Sequence, residues 1–320
     1  MTHASVEQRM ELLVKQMTWE SDGVLSLALV DPAGRPLPEW APGAHIDLTL
    51  RNTLVRQYSL CGDPADNTRY LVAVLREQAA LGGSEFVHEG LRPGHRLQVV
   101  GPRNNFELVE ANRYVFIAGG IGITPILAMI KSIEAAGADW HLHYGGRRRD
   151  SMAFLDELAE YGDRVSVVAE DEQGMLDLDT ILAEYMPGTV VYCCGPEPLL
   201  NAVERRTTGW PDGSLRIERF RAKTRDAPET GERPLEIVCQ RSGCIVNVPA
   251  DCSLLDALEA AGVSVPNSCR DGICGSCETK VLDGVPDHRD SVLSAAEQAA
   301  GNTMMVCVSR AKSDRLVLDL

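Results

Sequence analysis

The sequence predicts a multidomain chain: a β-barrel, then an α/β domain with a parallel sheet, then a small α+β domain built around a cysteine loop. Three observations predict it. The first 109 residues carry short β-prone runs between turn signals, and residues 112–222 alternate apolar strands with helical stretches. Finally, CRDGICGSC puts Cys269, Cys274 and Cys277 within nine residues, with Cys307 far downstream.

At 320 residues the chain has room for two or three domains, and 44% hydrophobic content supplies their cores. The formal net charge is −15, from 31 basic and 46 acidic residues, which argues against a nucleic-acid binder. No run approaches the roughly 20 apolar residues that span a bilayer. The N-terminal MTHASVEQRMELLVKQ has charges where a signal peptide needs an apolar core. The expected setting is cytoplasmic, with no membrane partner. There, ten cysteines argue for metal or catalysis rather than disulfides.

Within residues 1–109, GVLSLALV, HIDLTL and RYLVAVLRE read as strands separated by DPAG and GDPADN. Short strands at this spacing predict a barrel or sandwich. VRQYSLCGDP contains Arg56, Tyr58 and Ser59. Four residues of RxYS fit any strand. Their chemistry suits a flavin: a guanidinium fork for phosphate, a flat ring, and a hydroxyl donor. In LGGSEFVHEGL, Gly82, Gly83 and Ser84 open a helix whose unpaired N–H groups can hold a phosphate, although an ordinary helix cap reads the same.

Residues 112–222 begin with the strand YVFIAG, followed by FIAGGIGITPILAM: strand, glycine run, helix. Thr124 is the expected N-cap and Pro125 the first helical residue. The run is not GxGxxG, but Gly120 and Gly122 let a pyrophosphate approach the backbone. HLHYGG, SVVAED and VVYCCG are further strands, with MAFLDELAEYG and PEPLLNAVERR as helices. VVYCCGPEPLL ends in Cys194, Gly195 and Pro196, at a strand end where open α/β sheets bind ligands. A buried structural thiol reads the same at Cys194. Arg147, Arg148 and Arg149 follow HLHYGG, where an adenosine phosphate would lie, and Asp171 falls near the ribose. A solvated charge run is the plainer account of all four, so NADH and NADPH both stay open.

RAKTRDAPETGER is nearly devoid of apolar residues, and 223–232 is read as a linker. In residues 233–320, LEIVCQRSGCIVNV is a hairpin turning at Arg241–Gly243 and SLLDALEAAG a helix. The cysteine intervals are Cys269-x4-Cys274-x2-Cys277-x29-Cys307, and the first three positions carry the plant-type 2Fe–2S spacing. Two irons and two sulfides need four thiolates on one small core; Gly272 and Gly275 let the backbone curl around it. Zinc prefers paired CxxC knuckles or added histidines, which this loop lacks. Cys61, Cys239, Cys244 and Cys252 read as packing cysteines. The segment's 8 basic and 12 acidic side chains suit salt-sensitive docking to a basic patch, or simple solubility.

RxYS, GGS, GGxGxTP, CGP and the cysteine set occur in one order. With VGPRNNFEL at 100–108 and ERF at 218–220, the chain resembles the phthalate dioxygenase reductase family over essentially its full length. It is also similar to the reductase portion of self-sufficient bacterial cytochromes P450. The resemblance implies an FMN-binding β-barrel domain, an NAD-binding domain and a β-grasp-like plant-type ferredoxin domain. By family pattern Arg56, Tyr58 and Ser59 contact the flavin, Val74, Leu75 and Arg76 lie along it, and Gly82, Gly83 and Ser84 hold its phosphate. Thr124 falls near the flavin edge. Gly120 and Gly122 face the nucleotide, and Cys194, Gly195 and Pro196 lie beside the nicotinamide; Arg147 joins the candidate nucleotide residues only by its place after HLHYGG. Phe220 matches an aromatic that covers the isoalloxazine; a core Phe is its alternative. Ser59, Cys194 and Phe220 are thus the expected catalytic set, and the four cysteines the metal ligands. FMN rather than FAD comes from the resemblance, not from spacing.

The implied activity passes electrons from NADH through FMN to a 2Fe–2S cluster and on to a terminal oxygenase, Rieske-type or P450, by transient docking of a monomer. The alternatives are a stand-alone flavin reductase acting on small acceptors and an electron-carrier module without NADH turnover.

Overall fold

The computed structural model describes residues 8–51, 54–77, 82–222 and 232–320, and the chain divides into two compact units, Met1–Glu218 and Arg219–Leu320. The first unit opens with β1 (Arg9–Ser21), β2 (Val24–Val30), β3 (Ala44–Thr49), β4 (Val55–Ser59), β5 (Tyr70–Leu75), α1 (Gly83–Glu89) and β6 (Arg96–Asn104). The strands form one antiparallel sheet in the order β4-β3-β6-β1-β2-β5. The sheet curls into a barrel: its edges meet at a Leu60–Val72 bridge, where the Cys61 N–H donates to the Leu71 carbonyl at 2.9 Å. Inward residues Leu12, Val14, Leu27, Leu29, Ile46, Leu48 and Val99 fill the interior with Val87 of α1. Each such side chain contributes ~1.5–3 kcal/mol by leaving water. One polar tie crosses three strands. Arg103 of β6 pairs with Asp47 of β3 at 2.6 Å, both nearly buried, and Gln57 of β4 donates to the same carboxylate at 2.9 Å.

The chain then crosses into a second sheet. Tyr192 pins the crossing: its hydroxyl accepts from the Val109 N–H at 2.7 Å and donates to the Glu107 carbonyl at 3.0 Å. The sheet comprises β7 (Arg113–Gly119), β8 (Asp139–Gly146), β9 (Val165–Ala169), β10 (Thr189–Cys194) and β11 (Leu215–Glu218). Between them run α2 (Ile123–Ala135), α3 (Leu155–Ala159), α4 (Glu170–Gln173), α5 (Leu178–Ile181) and α6 (Glu197–Arg206). All strand pairs are parallel, in the order β11-β10-β7-β8-β9. Alternation along β7 serves two cores: Phe116 packs with Ile126, Leu142 and Tyr192 on one face, Ile117 with Val191, Leu200 and Val203 on the other. Because the order reverses between β7 and β10, a crevice opens at their carboxyl ends.

The second unit contains β12 (Leu235–Cys239), β13 (Cys244–Val248), α7 (Leu254–Ala260), β14 (Glu278–Asp283), β15 (Pro286–Asp287), α8 (Ala295–Ala300), β16 (Thr303–Met305), β17 (Arg310–Ala311) and β18 (Arg315–Leu318). Its main sheet runs β13-β12-β18-β14-β16, with β12 and β18 parallel, and β15 pairs β17. Leu254, Leu255 and Leu258 of α7 pack on Ile237, Val248 and Leu316. Cys239 lies opposite Cys244 in the β12–β13 hairpin and is buried in this core; Cys61 is buried in the first unit. Residues 223–231 of the expected linker lie outside the described residues. Its last residue, Glu232, is held by Arg289 and Arg310. Among the described residues, no helix is long and apolar enough to cross a membrane.

Candidate functional site

The residues singled out in the barrel gather at one end. Antiparallel pleating puts Arg56 and Tyr58 on one face of β4, opposite Leu48 and Ile46, and Ser59 on the other, opposite His45. Ser59 is buried at the last residue of the strand. Burial pushes the Tyr58 phenol up to about 12, so it stays a neutral ring. Helix α1 starts at Gly83, with Gly82 in the left-handed region at φ 81°. A Cβ on Gly83 would come within 3.0 Å of Arg56 Cγ and 3.2 Å of its Nε, so the missing side chain is what lets Arg56 lie across the helix start. Arg51 reaches the same place: its Nη2 lies 3.8 Å from where a Gly82 Cβ would be. Two guanidinium groups therefore flank the first-turn N–H groups of α1, a donor set that fits a phosphate. Sequence reading missed Arg51, which lies outside every motif quoted above. Ser84 Oγ accepts from the Glu77 N–H at 3.1 Å, leaving its proton to donate. Val74 and Leu75 end β5, and Arg76 pairs with Glu89 and anchors its N–H on the Gly23 carbonyl at 2.8 Å.

Strand β5 packs on the 3-10 turn Gly120–Gly122, so the barrel end adjoins the crevice of the parallel sheet. The crevice is main chain. A Cβ on Gly122 would stand 2.2 Å from the Cys194 carbonyl oxygen, and one on Gly119 would stand 2.6 Å from Pro196 Cδ. The loops after β7 and β10 thus touch backbone to backbone. Thr124 departs from expectation. Helix α2 begins at Ile123 with Gly122 as its N-cap, because the 3-10 turn starts the winding one turn early; Thr124 donates to the Ile121 carbonyl at 3.0 Å instead of capping. Cys194 is fully buried, and burial first, then the neighbouring Glu218, raises its thiol well above the usual range. It is a neutral wall, not a nucleophile. Glu218 lies opposite Cys194 in the β10–β11 register, and burial raises its carboxyl to about 8. Of the three arginines after β8, Arg148 pairs with Asp22 and Asp150, and Arg149 with Glu172; Arg147 has no ion pair among the described residues. The Asp171 N–H donates to the Arg147 carbonyl at 3.2 Å. Phe220, two residues past β11, is 37% exposed, so it is not a core residue.

In the second unit the four thiols stand two and two. The Cys269 and Cys274 thiols are in hydrogen-bond contact, as are those of Cys277 and Cys307, while Cys274 interacts with Cys277 and Cys307 with Cys269. Hydrogen bonding from Cys269 lowers the Cys274 thiol against its burial, and Cys307 likewise lowers Cys277. Main-chain N–H groups turn inward: Asp271 donates to Cys269 Sγ at 3.3 Å, and Gly272 is aimed at Cys307. Gly272 has φ 70°, and a Cβ there would meet Val308 at 2.5 Å. Among the described residues no three His, Cys, Asp or Glu side chains converge on a point as a single ion requires. Two thiol pairs ringed by N–H donors fit a binuclear iron–sulfur core, with Cys269 and Cys274 to hold one iron and Cys277 and Cys307 the other.

A barrel joined to a parallel-sheet crevice, followed by a four-thiol unit, defines an iron–sulfur oxidoreductase that draws on a pyridine nucleotide. Comparison with known proteins agrees. Residues 116–205 match the oxidoreductase NAD-binding domain and residues 237–312 the 2Fe-2S iron-sulfur cluster binding domain. The chain is 45% identical over 322 residues to phenoxybenzoate dioxygenase subunit beta of Ectopseudomonas oleovorans, covering 100% of both chains. The solved structure of phthalate dioxygenase reductase, described as modular for electron transfer from pyridine nucleotides to [2Fe-2S], superposes with TM-score 0.72 at 37% identity, over 98% of both chains. An intact type IV self-sufficient cytochrome P450 monooxygenase matches with TM-score 0.92 at 47% identity, over 98% of this chain and 41% of that one. The chain belongs to the phthalate dioxygenase reductase family.

Proposed function

We propose that this chain is the reductase component of an oxygenase system, taking electrons from NADH through FMN to a 2Fe–2S cluster and passing them to a terminal oxygenase, Rieske-type or P450. The observation that carries this reading is the pairing of four thiols under inward N–H groups, downstream of a phosphate-ready barrel end and a main-chain crevice on one chain.

The chemistry FMN would supply here is uptake of one hydride, two electrons with one proton, and release of those electrons singly to a one-electron carrier such as a 2Fe–2S centre. The chain's residues hold and orient. Arg51 and Arg56, with the start of α1, take the charge of the flavin phosphate, and Tyr58 offers its neutral ring. Gly120, Gly122 and Gly195 let the nucleotide reach the main chain where β7 and β10 end, beside the barrel. Hydride transfer needs orientation rather than an acid or base. Accordingly, neutral Cys194 serves as packing beside the nicotinamide. By family pattern, Phe220 is assigned to the flavin ring. Cys269, Cys274, Cys277 and Cys307 are the cluster ligands.

The reading assigns 1–109 to the FMN domain, 112–222 to the NAD domain, 223–232 to a linker and 233–320 to the ferredoxin domain. It describes a cytoplasmic monomer that docks transiently through an acidic surface. The test is anaerobic NADH titration of FMN-loaded, iron-replete protein, followed by visible absorbance and EPR. Flavin bleaching together with a reduced binuclear signal is expected. A cluster without bleaching would make the chain a carrier; bleaching without a cluster would make it a flavin reductase.

A further inference from the structure

Arg270 follows the first cluster ligand and has φ 59°, one of two described non-glycine residues in the left-handed region. That conformation disfavours any side chain bearing a Cβ. Here it turns the chain so that the Asp271 N–H reaches back to Cys269 Sγ at 3.3 Å. Glycine would make the turn without strain, so what the arginine adds has to lie in its side chain.

All three guanidinium nitrogens are engaged. Nη1 donates to Asp256 Oδ1 at 2.9 Å, Nη2 to both Glu259 oxygens at 2.7 and 2.8 Å, and Nε to Asn267 Oδ1 at 3.2 Å. Its partners are themselves fixed. Ser253, the N-cap of α7, donates to Asp256 Oδ2 at 2.7 Å, and Asn267 donates to Glu259 Oε1 at 2.9 Å, closing a ring. Asp256 and Glu259 share the outer face of α7, one turn apart. The inner face packs on the sheet, and its Leu255 N–H donates to the Val306 carbonyl at 3.1 Å, next to Cys307. One rigid helix therefore grips the chain beside Cys307 and, through Arg270, the chain beside Cys269.

We infer that Arg270 is a positioning residue: it ties Cys269 to α7, which sets the separation of the two iron-holding thiol pairs. Cys269 is the only half-exposed ligand, while Cys274, Cys277 and Cys307 are buried, so this corner depends most on a tether. The inference rests on the 2Fe–2S reading and would be meaningless without it.

The experiment compares full-length holoprotein carrying Arg270→Gln, Arg270→Gly, Arg270→Lys or Glu259→Gln with wild type. It measures the rate of cluster bleaching under a ferrous chelator, the EPR g-values of the reduced centre, and thermal unfolding. Arg270→Gln and Arg270→Gly should each lose the cluster at least about tenfold faster, the scale of a charge-assisted hydrogen bond, with shifted g-values. Glu259→Gln should fall between, and Arg270→Lys should restore part of the lifetime. Arg270→Gly is decisive because it adopts the turn without strain and keeps the thiols. If it holds the cluster with wild-type lifetime and g-values, the inference is overturned. It is also overturned if cluster loss only tracks a lowered unfolding temperature. A wild type that never holds a binuclear cluster would instead sink the functional reading.

Discussion

Replacing Gly122 with Ala isolates the contact between the two crevice loops. Gly122 has φ −63°, an ordinary helical value, so alanine there is conformationally favoured and would by itself stabilise by up to ~1 kcal/mol. Against this, its Cβ would stand 2.2 Å from the Cys194 oxygen, 2.4 Å from the carbonyl carbon and 2.7 Å from Gly195 N. All three are backbone atoms fixed by the β7–β10 register, from Thr189–Arg113 to Cys194–Ala118, so no flexible side chain can yield. Reaching ordinary contact at ~3.5 Å means parting the loops by about 1 Å. Overpacking of this kind costs ~1–3 kcal/mol. A mid-range cost of about 2 kcal/mol less about 1 kcal/mol of that gain leaves about 1 kcal/mol, which felt at the nucleotide is roughly a fivefold rise in half-saturating NADH. The assay is rapid mixing of NADH with oxidised protein, following flavin bleaching, alongside thermal unfolding. Gly137→Ala, just past the C-terminal end of α2, is the control: nothing lies within 4 Å of its Cβ, and only the left-handed φ of 69° is penalised. It should lower stability while leaving half-saturation nearly as in wild type. The reasoning fails if Gly122→Ala behaves as wild type, or if both variants lose nucleotide affinity equally.

Three further outcomes are expected. Asp47→Ala leaves Arg103 buried without its carboxylate and should cost ~3–5 kcal/mol, read by denaturant unfolding; a loss under about 1 kcal/mol would refute the tie across β3, β4 and β6. The Glu218 carboxyl is raised from 4.5 to about 8 by burial, so between those values the unfolded chain ionises while the folded chain keeps its proton. Stability should therefore fall as pH rises through that window and level off above it, and Glu218→Gln should flatten the slope in melting curves taken at several pH values. Arg147 is the arginine after β8 with no ion pair among the described residues, so on the proposed reading Arg147→Ala should raise half-saturating NADPH by up to ~fivefold and NADH by less, in steady-state assays of both nucleotides.

The legible features were those whose chemistry is local. Cysteine intervals encode the cluster loop because three ligands must come from one tight turn. YVFIAG and VVYCCG are apolar because the central strands of a parallel sheet are covered on both faces. What was hidden is long-range or disguised. The longest strand, β1, went unread because two register shifts, between Val14 and Gln16 and between Trp19 and Ser21, break its alternation and charged residues line its outer face. Thr124 carries the statistics of an N-cap, but the preceding turn had already begun the helix. LRIE looks like a surface strand, and only its place beside β10 buries Glu218. The grip of Arg270 on α7 joins residues 11 and 14 positions apart, and nothing local announces it.

The floor where β7 and β10 end is bare polypeptide, with glycines meeting a peptide bond. Such a floor offers natural variation almost nothing to adjust, since any added carbon collides with backbone. On the proposed reading, preference among nucleotides would fall to side chains at the rim, where Arg147 and Asp171 follow β8 and β9, since the floor has none to offer.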